Sequence, residues 1–218
     1  MKINRKHAYF LTSGVLFFLL FFAFTFLVRQ DLLRTWDFNM TVRLQDKTPI
    51  RFDEFFSLLS VVGRFEYTVG ALIIFLIIRR KILGVLVFGL FGLAHIVELI
   101  GKTILSQPGP PNMFLRSHYS EFPGLYVHTD ASYPSGHSMR AVFLGILFSY
   151  TIYASKRIPQ VIKLGLLCGI WGLIGAILYS RVSLGEHWST DVIGGTLLGI
   201  SMGSLSILLL ELKRGKGP

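Results

Sequence analysis

The chain has 218 residues, of which 52% are hydrophobic and 16% charged, and its net charge is +10. Soluble domains carry about 25% charged residues, so this composition excludes an ordinary soluble protein and indicates a membrane protein. The single cysteine, Cys168, excludes a disulfide bond within the chain.

Six stretches are apolar and long enough to cross the hydrocarbon core of a membrane, which takes about 20 helical residues. These predicted spans are residues 9–28, 55–78, 82–100, 136–154, 161–180 and 191–210. The first is too long for the apolar part of a signal peptide, and no small-residue cleavage site follows it, so we expect it to remain as an anchor. The predicted fold is all-α, a polytopic bundle of six transmembrane helices forming one domain over residues 1–218.

The basic residues are distributed unevenly between the two sides of the predicted membrane protein. With the N-terminus inside, one side of the membrane receives twelve basic residues and one acid, whereas the rest of the chain holds ten basic residues and eleven acids. Cytoplasmic loops carry such an excess of Lys and Arg, so that side is predicted to be the cytoplasm. No basic stripe with interleaved aromatic residues remains, and the charge therefore predicts no nucleic-acid partner.

Three connections are predicted to face outward: residues 29–54, with Trp36 and Phe38 at the interface, residues 101–135, and the short segment 181–190. Along the last span Gly195, Gly199 and Gly203 recur every four residues, which predicts close packing against another helix.

Titratable side chains gather at the outer ends of the predicted spans, which makes that face a candidate site. In SRVSLGEHWSTD, Asp191 follows His187 by four residues, so the two side chains share one face of a helix. A carboxylate on one ring nitrogen fixes the tautomer and leaves the other nitrogen free to attack or to take a proton. A surface hydrogen bond without chemistry remains the alternative for this pair alone.

The stretch PSGH at residues 134–137 begins the fourth predicted span. Pro134 and Ser135 suit a helix start, and Gly136 lets backbone approach a ligand closely. A helix N-terminus attracts phosphate, and His137 would then donate a proton to a group held there. A helix cap with an incidental histidine is the alternative.

Taken together, Lys102, PSGH at 134–137, Ser180-Arg181, His187 and Asp191 resemble, in order and spacing, the three-part signature of the phosphatidic acid phosphatase type 2 superfamily. The resemblance implies a membrane phosphatase whose site faces outward. It also implies residue roles: His187 is the nucleophile that forms a phosphohistidine, Asp191 orients it, and His137 protonates the leaving oxygen. Lys102 and Arg181 would hold phosphate oxygens, helped by the amides around Ser135 and Gly136.

The first motif departs from the family pattern of a lysine, six residues, an arginine and a proline. In KTILSQPGPP, Gly109 stands where the arginine belongs. Losing such a donor costs on the order of 10² in rate. We hypothesise that Arg140, three residues after His137, supplies the missing charge; an arginine that snorkels to the headgroups is the alternative. Arg116 is a weaker rival.

No cofactor or metal is expected, because two cations offset most of the charge of a phosphate. Zinc held by histidines and Asp191 is a weaker alternative, since the histidines at 118, 128, 137 and 187 lack ligand spacing. Glu98 and His95 are predicted to share a helix face with Lys102, and Arg64 and Glu66 to point into the bundle or lie near its outer end.

The sequence therefore predicts a phosphatase in the cell membrane with an extracytoplasmic site. Its substrate is a lipid phosphate: a polyprenyl pyrophosphate, phosphatidic acid or phosphatidylglycerol phosphate. Three alternatives stay open, namely a degenerate lipid-phosphate binder, a transporter, and a lipid phosphotransferase. The missing arginine favours them, and the intact histidines and Asp191 oppose them.

The charge distribution predicts that residues 102–134 lie outside and residues 79–81 inside. Single cysteines at Ser117 and at Lys81, in a Cys168→Ser background, should differ when intact cells receive an impermeant thiol reagent. We expect labelling at position 117. Labelling at position 81 alone would show that the membrane topology is the reverse of the predicted one.

Overall fold

The computed structural model describes residues 5–79, 84–105, 107–116 and 131–212. Within these ranges the chain forms eight α-helices, two short 3-10 turns and no β-strand. The helices are α1 (Arg5–Arg29), α2 (Arg34–Lys47), α3 (Asp53–Val62), α4 (Phe65–Arg79), α5 (Gly84–Leu105), α6 (Gly136–Ala154), α7 (Gln160–Ser183) and α8 (Ser189–Leu212). His118 and His128 lie outside the described residues.

Four of these helices, α1, α5, α7 and α8, are long and apolar enough to cross a membrane, and the pair α3 and α4 would add a fifth span. Their outer surfaces expose large apolar side chains such as Phe26 on α1 and Leu164 on α7, as a lipid-facing surface requires. Helix α6 occupies the residues of the fourth predicted span. It is not among the apolar spans because its first two turns contain His137 and Arg140. The chain is thus an all-helical, multi-pass membrane protein.

The predicted span over residues 55–78 is not one continuous helix. Helix α3 ends at Val62 and α4 begins at Phe65, with a bend of 49° between them. The carbonyl of Gly63, at the break, accepts a hydrogen bond from Arg140 Nε at 3.0 Å. A side chain on another helix therefore takes the acceptor that a continuous helix would use for its own backbone.

Residues 29–54 were predicted as an outward connection, but they contain helix α2. Its buried side chains are polar and spaced by four residues (Asp37, Thr41 and Gln45), whereas Trp36 and Phe38 are exposed. This is the reverse of the usual amphipathic pattern, in which the apolar side is buried. The polar stripe binds the rest of the protein: Gln45 Nε2 donates to the carbonyls of Phe114 (2.6 Å) and Ser183 (3.1 Å).

Helix α2 also fixes the start of α8. The Thr190 N–H donates to Asp37 Oδ1 at 2.9 Å, and the Thr190 hydroxyl donates to Asp37 Oδ2 at 2.5 Å. These bonds satisfy one of the free amides at the helix N-terminus. Burial nevertheless raises the pKa of Asp37 to about 6, because the charged form loses hydration.

Helix α8 is the centre of the packing, with α1 and α6 lying along it. Its glycines face α6, as predicted: a Cβ at Gly199 would lie 2.6 Å from the Met139 carbonyl oxygen, and one at Gly203 would lie 3.2 Å from Ile146. A Cβ at Gly195 would overlap the carbonyl oxygen of Ser135. The small residues therefore bring the first turn of α6 against the first turns of α8.

Gly195→Ala should destabilise the protein, because the added methyl has no space beside the Ser135 backbone. Overpacking of this kind costs about 1–3 kcal/mol, which lowers Tm by several degrees for a chain of this size. Thermal unfolding in detergent measures the effect. Gly169→Ala on α7 is the matched control, since no atom lies within 4 Å of its Cβ position. Equal Tm values for the two variants would contradict the close contact between α6 and α8.

Candidate active site

The residues predicted for the site come together at one end of the bundle. Lys102 lies near the C-terminal end of α5 and Arg181 near that of α7, whereas His137 begins α6 and His187 directly precedes α8. The bond from the Ser135 N–H to the Asp191 carbonyl, at 3.0 Å, joins the starts of α6 and α8. The sequence predicted this grouping.

His187 and Asp191 form the predicted pair. His187 Nδ1 lies 3.3 Å from Asp191 Oδ2. The same oxygen accepts from the Ser132 hydroxyl at 2.6 Å and from the Trp188 N–H at 2.8 Å. An ionised carboxylate only accepts hydrogen bonds, so this contact corresponds to the tautomer with the histidine proton on Nδ1 and with Nε2 unprotonated.

The guanidinium of Arg181 is buried, with 1% of its side chain exposed. Its Nη1 forms an ion pair with Glu186, whereas Nε and Nη2 have no hydrogen-bond partner among the described residues. The Arg181 carbonyl accepts from the His187 N–H at 3.1 Å, so the residue that carries the guanidinium is bonded directly to the segment that carries His187. An unused edge of a buried guanidinium matches two oxygens of a phosphate.

A second buried cluster lies beside it. Lys102 Nζ is 2.9 Å from Glu98 Oε1, and Arg140 Nη1 is 3.7 Å from Glu98 Oε2. All three side chains are almost fully buried. The prediction that Glu98 and Lys102 share a helix face is confirmed. The snorkelling alternative for Arg140 is wrong, because its guanidinium points into the protein.

His137 contacts both Arg140 and the helix break. Arg140 Nη2 lies 3.4 Å from His137 Nδ1. A Cβ at Gly63 would be 2.9 Å from the ring carbon Cδ2 of His137, so the imidazole packs directly on the break between α3 and α4. The position of this ring depends on three helices.

Ser135 and Gly136 have structural roles at the start of α6. Ser135 caps α6, its hydroxyl accepting from the Ser138 N–H at 3.4 Å. Its own amide is used by the bond to Asp191. A Cβ at Gly136 would overlap the Glu98 carboxylate and lie 2.8 Å from Arg140 Nη1. The glycine of PSGH therefore makes room for the buried ion cluster, a reason that the sequence analysis did not identify.

Gly109 lies in a loop held by the Trp188 indole, whose Nε1 donates to the Pro108 carbonyl at 2.9 Å. A Cβ at Gly109 would be in ordinary contact with Ser132, at 3.6 Å. A cavity of about 330 Å³ adjoins this loop between the ends of α1, α2, α5 and α8, with Arg29 and Arg34 among its lining residues.

Two further arginines were weighed in the sequence. Arg116 Nη1 donates to the carbonyls of Gln45 (3.3 Å) and Thr48 (3.2 Å), so it stabilises the C-terminal end of α2. Arg64 directly follows Gly63 at the helix break, where the Gly63 carbonyl accepts from Arg140.

No group of three His, Cys, Asp or Glu side chains converges as a metal site within residues 5–79, 84–105, 107–116 and 131–212. The histidines at 118 and 128, named in the zinc alternative, are outside these ranges.

Sequence comparisons find relatives among lipid phosphatases. The chain is 34% identical over 154 residues to an undecaprenyl-diphosphatase of Sulfolobus acidocaldarius, covering 68% of this chain and 66% of the relative. It is 29% identical over 121 residues to phosphatidylglycerophosphatase B of Bacillus subtilis, covering 54% and 53% respectively. The aligned region thus spans less than two thirds of either relative.

Solved structures share the fold. A PAP2-type phosphatidylglycerolphosphate phosphatase of Bacillus subtilis superposes with a TM-score of 0.73 at 20% identity, covering 94% of this chain and 98% of that one. Aquifex aeolicus LpxE superposes with a TM-score of 0.58 at 25% identity, covering 78% and 93%.

The profile of the PAP2 superfamily matches residues 82–214, a range that contains every predicted site residue. More than half of the chain is matched, and the described fold agrees with the solved phosphatases. The chain belongs to the PAP2 superfamily.

Proposed function

We propose that this protein is a membrane lipid phosphatase that transfers a phosphoryl group from a lipid to His187 and then to water. One observation carries the proposal: Arg181 is buried with two unused donors on the segment that also holds the His187–Asp191 pair. A buried cation without a full set of partners is costly, and a phosphate between Arg181 and His187 would remove that cost.

The charges of the site fit a phosphate without a metal ion. A phosphate monoester carries close to two negative charges at neutral pH. Arg181 offers the edge formed by Nε and Nη2, and Lys102 reaches the ligand by turning from Glu98. Charge-assisted hydrogen bonds from these two groups offset most of the negative charge.

The nucleophile is Nε2 of His187. Its lone pair attacks phosphorus while the bond to the leaving oxygen breaks, and the ring becomes a cation whose Nδ1–H stays bonded to Asp191. This carboxylate stabilises the positive charge that develops. Water then attacks the phosphohistidine, the N–P bond returns its electron pair to Nε2, and phosphate leaves. His137 is the group that interacts with the leaving oxygen.

We infer six membrane spans, of which α6 is the central one in the helix bundle. Helix α6 packs against α4, α5, α7 and α8, so its polar first turns are covered by protein and not by lipid. Polar side chains at membrane depth are tolerated where they face the interior of a bundle. The charge asymmetry of the loops supports a site in the outer half of the cell membrane.

The substrate is a lipid whose phosphate lies at headgroup depth. The names of the relatives and solved structures favour a polyprenyl diphosphate or a phosphatidylglycerol phosphate. Gly109 supports two rival functions, a lipid-phosphate binder without turnover and a phosphotransferase, because one cation of the first family motif is absent.

His187→Ala should abolish phosphate release from lipid phosphates in detergent, with a loss of at least about 10³-fold, since the nucleophile cannot be replaced by its neighbours. The wild type should form an acid-labile phosphoprotein when quenched during turnover, and the variant should not. His7→Ala is the matched control. His7 lies at the N-terminal end of α1, so this variant should keep full activity.

Three outcomes would count against the proposal, and two of them favour a rival function. Equal phosphate release by wild type and His187→Ala would end the assignment of the nucleophile. Lipid-phosphate binding without release by the wild type would favour the binder, and transfer of the phosphoryl group to an added alcohol in preference to water would favour the phosphotransferase.

A further inference from the structure

Ser132 lies just before α6, and its side chain contacts the carboxylate that pairs with His187. The Ser132 hydroxyl donates to Asp191 Oδ2 at 2.6 Å. This distance is typical of a charge-assisted O–H···O⁻ hydrogen bond, which is about twice as strong as a neutral one. Both residues are buried, with Ser132 7% and Asp191 0% exposed. Solvent therefore competes little for this bond.

The hydrogen bonds of the Asp191 carboxylate all involve the same oxygen. Oδ2 accepts from Ser132 and from the Trp188 N–H at 2.8 Å, and it lies 3.3 Å from His187 Nδ1. Oδ1 has no hydrogen-bond partner among the described residues. The terminal torsion of an aspartate has a broad energy minimum, so a carboxylate turns easily unless its oxygens are held. The direction of Oδ2 is therefore set by its donors.

The two donors that hold Oδ2 differ in origin. Trp188 directly precedes α8, and the bond from its amide to the side chain of Asp191 is of the kind that a helix start forms with its own first turn. The Ser132 hydroxyl comes from a segment 59 residues away in sequence. Ser132 therefore holds the carboxylate from outside its own helix.

Ser132 is itself fixed by the loop after α5. Its N–H donates to the Gln107 carbonyl at 2.9 Å, and the neighbouring Ala131 pairs with Pro108 in an isolated β-bridge. The Trp188 indole donates to the Pro108 carbonyl at 2.9 Å. One loop thus positions both residues whose donors converge on the carboxylate.

The side-chain bond of Ser132 is not needed to join the starts of α6 and α8. The Ser135 N–H already donates to the Asp191 carbonyl at 3.0 Å, and the backbone of Ser132 is held by Gln107. Both contacts are made by backbone atoms, so they survive the loss of the hydroxyl. The hydroxyl adds what these contacts do not supply, a donor to the carboxylate.

We propose that Ser132 is a positioning residue that holds Asp191 Oδ2 toward His187 and completes a chain of hydrogen bonds from serine to carboxylate to imidazole. The proposal rests on the function proposed above, in which His187 attacks phosphorus and becomes cationic. With Oδ2 held, the negative charge stays beside Nδ1 while the positive charge develops. Without the hydroxyl, the carboxylate loses a donor and turns more freely, so the attack is slower.

Ser132→Ala should lower kcat about 10-fold to 10²-fold, which is the effect of losing one hydrogen bond to a charged group. Phosphate release in detergent is measured from phosphatidic acid or farnesyl diphosphate, whichever the wild type hydrolyses faster. The inhibition constant of inorganic phosphate should stay within about twofold of wild type, because the groups proposed to hold phosphate, Lys102 and Arg181, are unchanged.

A double variant tests whether Ser132 acts through the carboxylate. In an Asp191→Ala background, the further change Ser132→Ala should cost no more than about twofold in kcat, because the partner of the hydroxyl is already gone. Two independent effects would instead multiply.

Two further variants are the controls. Ser132→Thr keeps the donor and should retain kcat within about threefold. Gly109, whose Cβ would lie 3.6 Å from Ser132 Cβ, leaves space on that side for the added methyl group. Ser206→Ala removes a buried hydroxyl that donates to the Met202 carbonyl on the same helix as Asp191, and it should leave kcat unchanged.

Wild-type kcat in Ser132→Ala would overturn the proposal, as would the same loss in Ser132→Thr as in Ser132→Ala. Losses that multiply in the double variant, or a phosphate inhibition constant that rises by the factor by which kcat falls, would show a general disturbance of the site and would also overturn it. Absence of phosphate release from both lipids by the wild type would instead count against the proposed function, so the two failures are distinguishable.

Discussion

The site depends on the contact between the first turns of α6 and α8. The Ser135 N–H donates to the Asp191 carbonyl, and the Ser132 hydroxyl donates to the Asp191 carboxylate. This approach is possible because Gly195 has no side chain to displace the Ser135 backbone. It brings the segment that carries His137 against the segment that carries His187, so one backbone contact sets the distance between the two histidines of the proposed reaction.

Charge burial is the second constraint. Lys102, Arg140 and Arg181 are almost fully buried in an apolar bundle, where unpaired charge is expensive. Glu98 lies between the first two, and Glu186 pairs with one nitrogen of the third. Three cations and two carboxylates leave an excess of positive charge beside the proposed nucleophile, His187. An anionic substrate completes this balance, which gives a physical reason for phosphate binding independent of any motif.

Much of the fold and of the candidate site could be predicted, because their signals are local. Helix α6 begins at Gly136 as expected from the proline and serine before it, and the four-residue spacing of His187 and Asp191 placed them together. The break at Gly63 could not be found this way, since it depends on a hydrogen bond from Arg140 on another helix. Helix α2 was missed because its buried stripe is polar, and apolar periodicity finds only helices that bury apolar residues. Arg140 also contacts the helix break and α5, two segments distant in sequence, so its contacts with Gly63 and His95 had no sequence signal.

The central claim is that the free edge of Arg181 is completed by a phosphate. Calorimetric titration of the purified protein with orthovanadate, a phosphate analogue, tests it most directly. Arg181→Met should weaken binding by about 10-fold to 10²-fold, the loss of hydrogen bonds from a charged donor. Arg116→Met, which removes a guanidinium whose described hydrogen bonds go to the carbonyls of Gln45 and Thr48, should bind as wild type does. Wild-type affinity in Arg181→Met would contradict the account.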